Sequence, residues 1–161
     1  MSPTGTGPTP SFDIDTSAVD LSQATVLVVD DNEQNLELVQ AYLESLPCRI
    51  VAARDGLEAM AAIEREKPDL VLLDVMMPRM SGFEVCQKVK SNPATRDTVV
   101  VMVTALHEVG DMERAVECGC DDFISKPVNK VELVARTTGL LKLRLVKRKL
   151  AKFLAGDSRN N

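Results

Sequence analysis

Hydrophobic positions recur along this chain in two alternating rhythms. Short, mostly β-branched runs occupy 26–29, 49–53, 69–73, 98–103 and 121–125. Between and after them, apolar residues return every three or four positions. Leu36, Val39, Leu43 and Leu46 form one such stripe, followed by Met60 and Ile63, Cys86 and Val89, and Met112, Ala115 and Val116. The last is Val131, Val134, Leu141 and Leu145. The first rhythm predicts strands, and the second predicts five helices with one buried stripe each. Polar punctuation agrees. Asp55-x-x-Glu58 and Ser81-x-x-Glu84 have the form of capping boxes, and Asn129-x-x-Glu132 is a looser version. In such motifs a side-chain oxygen takes an unpaired N–H of the first turn. Gly119 is placed to end the fourth helix. Five strand–helix units in strict alternation predict a doubly wound α/β fold with a parallel sheet. Runs 69–73 and 98–103 are apolar almost throughout, as strands covered by helices on both faces should be.

Both ends depart from this rhythm. Residues 1–24 are rich in Ser, Thr, Pro and Gly and carry Asp13, Asp15 and Asp20. They offer too little apolar surface to offset ordering entropy, so a disordered arm is predicted there. The domain itself is expected over 25–145. The last helix should begin near Lys130 and run to about Leu154, which leaves 146–161 as a basic helical extension and tail. Residues 142–152 hold Lys142, Arg144, Lys147, Arg148, Lys149 and Lys152 and no acid. Leu140, Leu143, Leu150 and Leu154 fit a and d positions of two heptads, with Lys147 at the interrupting a position. A frayed basic tail and a dimer or docking helix both remain open. Nucleic-acid contact is disfavoured, because no reading module follows.

Composition narrows the class. The 161 residues suffice for one domain with a sizeable core plus tails. A net charge of -5 argues against bulk attraction to nucleic acid or membrane. No apolar stretch approaches the roughly 20 residues of a membrane helix, and no basic-then-apolar leader opens the chain. Cys48, Cys86, Cys118 and Cys120 form no CxxC pair and no Cys/His cluster. Free thiols in a reducing cytoplasm are the expectation.

The chemistry lies where the runs end. Asp30 and Asp31 close the first run, Asp74 closes the third, and Thr104 and Lys126 follow the fourth and fifth. Parallel strands would gather all five at one edge, where open α/β sheets bind ligands. Three carboxylates gathered there repel one another and call for a divalent cation. Hard oxygen donors fit Mg²⁺. The hydroxyl and the ammonium then suit an anion such as a phosphoryl group. Each residue also has an ordinary reading. Asp31 could cap the first helix, Thr104 could be a turn residue, and Lys126 could be solvated. His107, the single histidine, has no second ligand for a metal and reads as an exposed loop or helix residue. Met76, Met77 and Met80 are expected to pack the loop after Asp74.

Four segments in order, Val28-Val29-Asp30-Asp31, Leu72-Leu73-Asp74-Val75-Met76-Met77-Pro78-x-Met80-x-Gly82, Val103-Thr104-Ala105 and Phe123-Ile124-Ser125-Lys126-Pro127, resemble the receiver domain of bacterial two-component response regulators. The resemblance covers about 25–145. It implies a flavodoxin-like five-stranded sheet of order 2-1-3-4-5 with an extended C-terminal helix. It makes Asp74 the phosphoacceptor. Mg²⁺ would be bound by Asp74, by Asp31, by Asp30 directly or through water, and by the backbone carbonyl of Met76. Thr104 and Lys126 would contact phosphoryl oxygens, and a cis peptide before Pro127 would aim Lys126 inward. Thr104 and Phe123 would relay the switch, although Phe123 lacks the hydroxyl of the tyrosine found in many members. Apolar Met76 and Leu106 should hinder an attacking water and prolong the phosphorylated form.

The implied partner is a sensor histidine kinase or a histidine phosphotransfer protein. The implied output is protein binding or dimerisation, including a homodimer through the last helix, in the cytoplasm and without membrane contact. The chain is then no enzyme beyond its own phosphorylation and dephosphorylation. Two alternatives stay open: the N-terminal receiver of a larger regulator with an enzymatic output domain, and a phosphorylation-independent adaptor. A phosphatase of the haloacid dehalogenase type would need an Asp-x-Asp motif after the first strand, and that motif is absent.

Overall fold

Every residue of β3 (Leu70–Asp74) is buried, and the other elements are arranged around that strand. The computed structural model describes residues 19–105 and 109–159. β1 (Thr25–Val29) and β4 (Val99–Thr104) flank β3, and β2 (Arg49–Ala53) and β5 (Asp122–Ser125) form the edges. The sheet has the order β2-β1-β3-β4-β5, and all four pairings are parallel. This is the predicted doubly wound architecture, with strand bounds within a residue of the hydrophobic runs.

The period of two along each strand divides the core. Leu27, Val29, Val71, Leu73, Val100 and Met102 face a cluster with α2 (Gly56–Glu66), α3 (Gly82–Ser91) and α4 (Val109–Glu117). Val26, Val28, Leu70, Leu72, Val101 and Val103 face the other cluster, with α1 (Glu33–Leu43) and α5 (Lys130–Arg159). Each fully buried aliphatic side chain contributes roughly 1.5–3 kcal/mol, so a one-residue slip of β3 would exchange two such faces.

The caps follow the sequence. Asp55, Ser81 and Asn129 accept from the N–H groups of Glu58, Glu84 and Glu132 at 2.7, 3.3 and 3.0 Å. α1 is capped by Asn32, which accepts from the Asn35 N–H at 3.1 Å. The cap reading of Asp31 is therefore corrected, and its carboxylate is left for other work. α4 ends two residues before Gly119, whose φ is +85°.

Several expectations need adjustment. Order begins before residue 25: Leu21–Gln23 form one 3₁₀ turn capped by Asp20. Val19 and Leu21 pack against the α5 side of the core, and Ala24 is buried. That apolar anchoring shortens the arm predicted for 1–24, while residues 1–18, Leu106 and His107 lie outside the described residues. Val116 and Val131 are exposed. The inward stripe of α5 is instead Leu133, Thr137, Leu141 and Leu145, a spacing of four that a threonine interrupts chemically but not sterically. The helix also continues past Leu154 to Arg159.

The thiols are as expected. Cys48, Cys86 and Cys118 are buried, Cys120 is half-buried, and all four are free. The Cys86 thiol donates to the Cys118 carbonyl at 3.3 Å. Burial pushes the Cys48 and Cys86 thiols up, and pushes Cys120 up to about 11.

One buried charge lies at the far end of β3. Asp69 accepts from the Thr25 N–H at 3.0 Å and from Arg148 at 2.6 Å, with Arg144 at 3.8 Å. Its side chain is only 3 % exposed. Arg148 therefore fastens α5 to the sheet three residues beyond Leu145, the last buried leucine of its inward stripe. Removing one partner of a buried pair leaves the other poorly compensated. Asp69→Ala should lower unfolding free energy by about 2–3 kcal/mol, measured by urea denaturation. Arg148→Ala should cost less, because water reaches that guanidinium.

Candidate functional site

Parallel pairing brings the carboxyl ends of β1, β3, β4 and β5 to one edge, and the five predicted residues meet there. Asp74 is the last residue of β3 and Thr104 the last of β4. Asp30 and Asp31 leave β1, and Lys126 leaves β5. The Lys126 N–H donates to the Thr104 carbonyl at 2.9 Å, so one more rung of the ladder holds the lysine beside the threonine. The peptide between Lys126 and Pro127 is cis.

Asp30, Asp31 and Asp74 each present a carboxylate oxygen within 4.8 Å of the others. Asp30 and Asp74 are buried and Asp31 is exposed. Such a set of hard oxygen donors, two buried and one open to solvent, suits a small divalent cation that keeps part of its water shell. Mg²⁺ fits it. Asp30, Asp31 and Asp74 could hold the ion, and the Met76 carbonyl lies two residues beyond Asp74 in the same loop.

Lys126 is the counter-charge. Its Nζ lies 3.0 Å from Asp30 and 3.4 Å from Asp74. Burial depresses the lysine pKa, but the hydrogen bond to Asp30 and the charges of Asp74 and Asp30 outweigh it, so the ammonium is held above its ordinary range. Asp74 shows the opposite balance. Burial, with the Asp30 charge added, pushes its carboxyl up to about 6, against the partial relief from Lys126 and the Met76 N–H. That N–H donates to Asp74 at 3.4 Å. Asp30 is fixed independently, by the Asn32 N–H at 2.9 Å.

Thr104 completes the cluster in an informative way. The residue is fully buried, and among the described residues its Oγ1 has no hydrogen-bond partner. A buried hydroxyl without a partner is costly. Phe123 is half-buried against the α4 side of the core, next to the Thr104 strand. Met76 does not pack its loop as expected. The residue is 68 % exposed, while its N–H is turned to Asp74. Met77 is buried, and Met80 is packed against Gly56.

Gly82 is a positioning residue whose role the sequence reading did not identify. A Cβ there would lie 2.3 Å from the Asp74 carbonyl oxygen and 2.8 Å from the Val75 Cα. Its own N–H donates to the Val75 carbonyl at 2.9 Å. The start of α3 thus touches the backbone that carries Asp74. The spacing Asp74-x-x-x-x-x-x-x-Gly82 was visible, but only the approach explains it. Arg79, at φ +70°, turns the loop between them.

A family model described as response regulator receiver domain matches residues 26–138. The response regulator PleD of Caulobacter vibrioides is 46% identical over 123 residues, covering 76% of this chain and 27% of that protein. The chain therefore spans about a quarter of that relative's length. Among solved structures, the signal receiver domain of a signal transduction histidine kinase from Syntrophus aciditrophicus is 35% identical. Its TM-score is 0.70, with 73% of this chain and 89% of that one covered. A CheY-like receiver domain protein from Methanospirillum hungatei JF-1 is 27% identical with a TM-score of 0.71, covering 77% and 98%.

The raised Asp74 pKa carries a sign that can be measured. A carboxyl whose folded pKa exceeds its ordinary 3.8 favours folding when protonated. That advantage is lost as pH rises from the ordinary value through about 6. In metal-free buffer Asp74→Asn should therefore be more stable than wild type above about pH 7, by on the order of 2–3 kcal/mol. The difference should vanish below about pH 4, and Mg²⁺ should narrow it at neutral pH by binding the wild-type fold. Superimposable stability profiles for the two proteins would contradict the electrostatic account.

Proposed function

The chain belongs to the response regulator receiver family, and from that membership we propose that it is a phosphorylation-dependent switch whose acceptor is Asp74. The observation that carries the reading is the pairing of a three-carboxylate cluster with Lys126 and the unpartnered hydroxyl of Thr104 at one strand edge. The donor is a phosphohistidine on a sensor histidine kinase or a histidine phosphotransfer protein. An Asp74 carboxylate oxygen attacks the phosphorus in line as the P–N bond to the imidazole breaks. The imidazole keeps the bonding pair and takes a proton, and an acyl phosphate remains on Asp74.

The residues divide the work by their chemistry. The apolar strand below Asp74 and the backbone contact with Gly82 hold the nucleophile in place. Charge on the equatorial phosphoryl oxygens must be neutralised for such a transfer, and Lys126 supplies a fixed ammonium for it. Thr104 donates its free hydroxyl to another oxygen. Mg²⁺, when bound, supplies the remaining neutralisation and favours the ionised carboxylate. Asp31, Asp30, Asp74 and the Met76 carbonyl would hold it.

Thr104 also links the chemistry to a change of surface. When its hydroxyl turns to the phosphoryl group, space opens beside the half-buried ring of Phe123, and that ring turns inward. The face of α4, β5 and α5 changes as a result, and an effector protein reads it. Because Phe123 has no hydroxyl, the two positions of the ring differ in packing alone. The chain performs no chemistry on other molecules in this reading, and the cytoplasm is where it would work. Among the described residues no helix is long and apolar enough to cross a membrane.

A second reading, that these residues are one module of a larger regulator, is favoured by two observations. The chain covers only 27% of PleD, and α5 continues for 11 residues beyond its clamp at Arg148.

Incubation with acetyl phosphate and Mg²⁺ should add one phosphoryl group by intact-protein mass. Asp74→Ala and omission of Mg²⁺ should each abolish the adduct. Lys126→Ala should slow it by roughly two orders of magnitude. Thr104→Ala should accept the group yet show a muted change in amide exchange over α4 and β5. An adduct retained by Asp74→Ala would overturn the assignment.

A further inference from the structure

A groove at the end of the sheet away from Asp74 takes no part in the phosphoryl chemistry. It lies between α5 and the amino-terminal ends of β4 and β5. Its volume is about 280 Å³, close to the lower end of the range of small-molecule sites. Leu140 and Leu143 of α5 and Val99 of β4 give it an apolar part. Charged side chains make up most of the remainder.

Two ion pairs at this end are complete in themselves. Lys90 meets Asp121 at 2.7 Å, and its Nζ also donates to the Thr98 carbonyl at 2.6 Å. Arg148 meets Asp69 at 2.6 Å, which leaves Arg144 at 3.8 Å from the same carboxylate. Arg144 lines the groove, and its Nε is buried without a hydrogen-bond partner among the described residues. Arg96, Asp97 and Lys147 line it too, and among the described residues their side chains make no ion pair or hydrogen bond. Three cations and one anion therefore remain, an excess of two positive charges beside an apolar slot. A phosphate monoester carries a charge of about −1.5 to −2 near pH 7. Guanidinium forks bind its oxygens in pairs. Asp97 repels a phosphoryl group but can accept from a hydroxyl next to it, as acids accept from ribose. The leucines and Val99 suit the flat body of a base.

We propose that this groove is a binding site for a nucleoside monophosphate. Its phosphate accepts from Arg144, Arg96 and Lys147, a ribose hydroxyl donates to Asp97, and the base lies on Leu140, Leu143 and Val99. A monocarboxylate brings too little charge for the three cations, and a sugar phosphate leaves the apolar part unused. The clamp of Arg148 on Asp69 supports this, because it holds the α5 side of the groove in place before the ligand arrives. An occupant ties α5 to the loop before β4 and so adds a second fastening of helix to sheet. The site shares no residue with the strand-end cluster, and binding requires neither Mg²⁺ nor Asp74.

Isothermal titration calorimetry of the full chain with adenosine monophosphate, in EDTA, tests this directly. Wild type and Asp74→Ala should bind one equivalent alike, which keeps the result independent of the phosphoacceptor assignment. Arg96 and Lys147 are exposed, so Arg96→Glu and Lys147→Glu should melt like wild type without ligand. Each should raise the dissociation constant at least about tenfold. Adenosine and ribose phosphate should each bind at least about tenfold more weakly than the nucleotide. Asp97→Ala should weaken the nucleotide yet tighten inorganic phosphate, because the acid holds one group and repels the other. The proposal is overturned if the nucleotide gives no binding heat at millimolar concentration, or if Arg96→Glu and Lys147→Glu leave its affinity unchanged. Inorganic phosphate bound as tightly as the nucleotide would also overturn it, leaving a site for an adventitious anion only.

Discussion

Lys126 sits between two buried carboxylates, and the electrostatics of the strand-end edge depend on that placement. Parallel pairing forces Asp30 and Asp74 together, because each leaves its strand at the same level. Nothing apolar could follow those strands without losing the site, and nothing acidic could be packed there without a cation. One ammonium, at 3.0 and 3.4 Å from the two, offsets part of the repulsion. The remainder is visible as an Asp74 carboxyl held well above its ordinary range. A divalent ion would answer this imbalance, and under the proposed function it would also offset the charge that a phosphoryl group adds. Thr104 adds a second unmet demand of a different kind, a hydroxyl without an acceptor.

Much of this was legible because two independent signals coincided. The alternation of β-branched runs with stripes of period 3.6 places the strands, and each reactive residue lies at a run's end, as Asp74 does after Leu70–Leu73. The caps at Asp55, Ser81 and Asn129 could be read because capping is local. What escaped the sequence was long-range. Asn32 and Asp31 are both competent caps, and only the geometry shows that Asn32 serves. Gly82 is unremarkable in sequence until Asp74 and Val75 are found against it. Val131 was placed on the buried stripe and is exposed, while Thr137, which that stripe leaves out, is fully buried, because the period of α5 was set by Leu133 and Leu141 and not by hydropathy alone. Asp69 was read as part of a strand, yet it is a buried anchor for arginines 75 and 79 residues away in the chain.

That anchor gives the central strand a charged residue at both ends. Asp74 faces the reactive edge, and Asp69 faces the opposite edge, where it holds the middle of α5. Between them lie four apolar residues buried on both faces, and such close-packed interiors transmit displacement more readily than they absorb it. The long helix is therefore part of the domain as far as Arg148 and projects only beyond it. Its basic character follows from the same division: two of its six cations from 142 to 152 are used internally by Asp69, and the rest face outward.

The four cysteines have a practical consequence for anyone wishing to place a reporter on this molecule. Three are enclosed, and the partly open one, Cys120, keeps its proton up to about pH 11. Only the thiolate attacks alkylating reagents at useful speed. A single cysteine introduced on the outer side of α5 would thus outrun the native four by kinetics alone. Fluorophores or nitroxides could be attached without first stripping the core of its sulfur, and without the cavities that such stripping would leave behind.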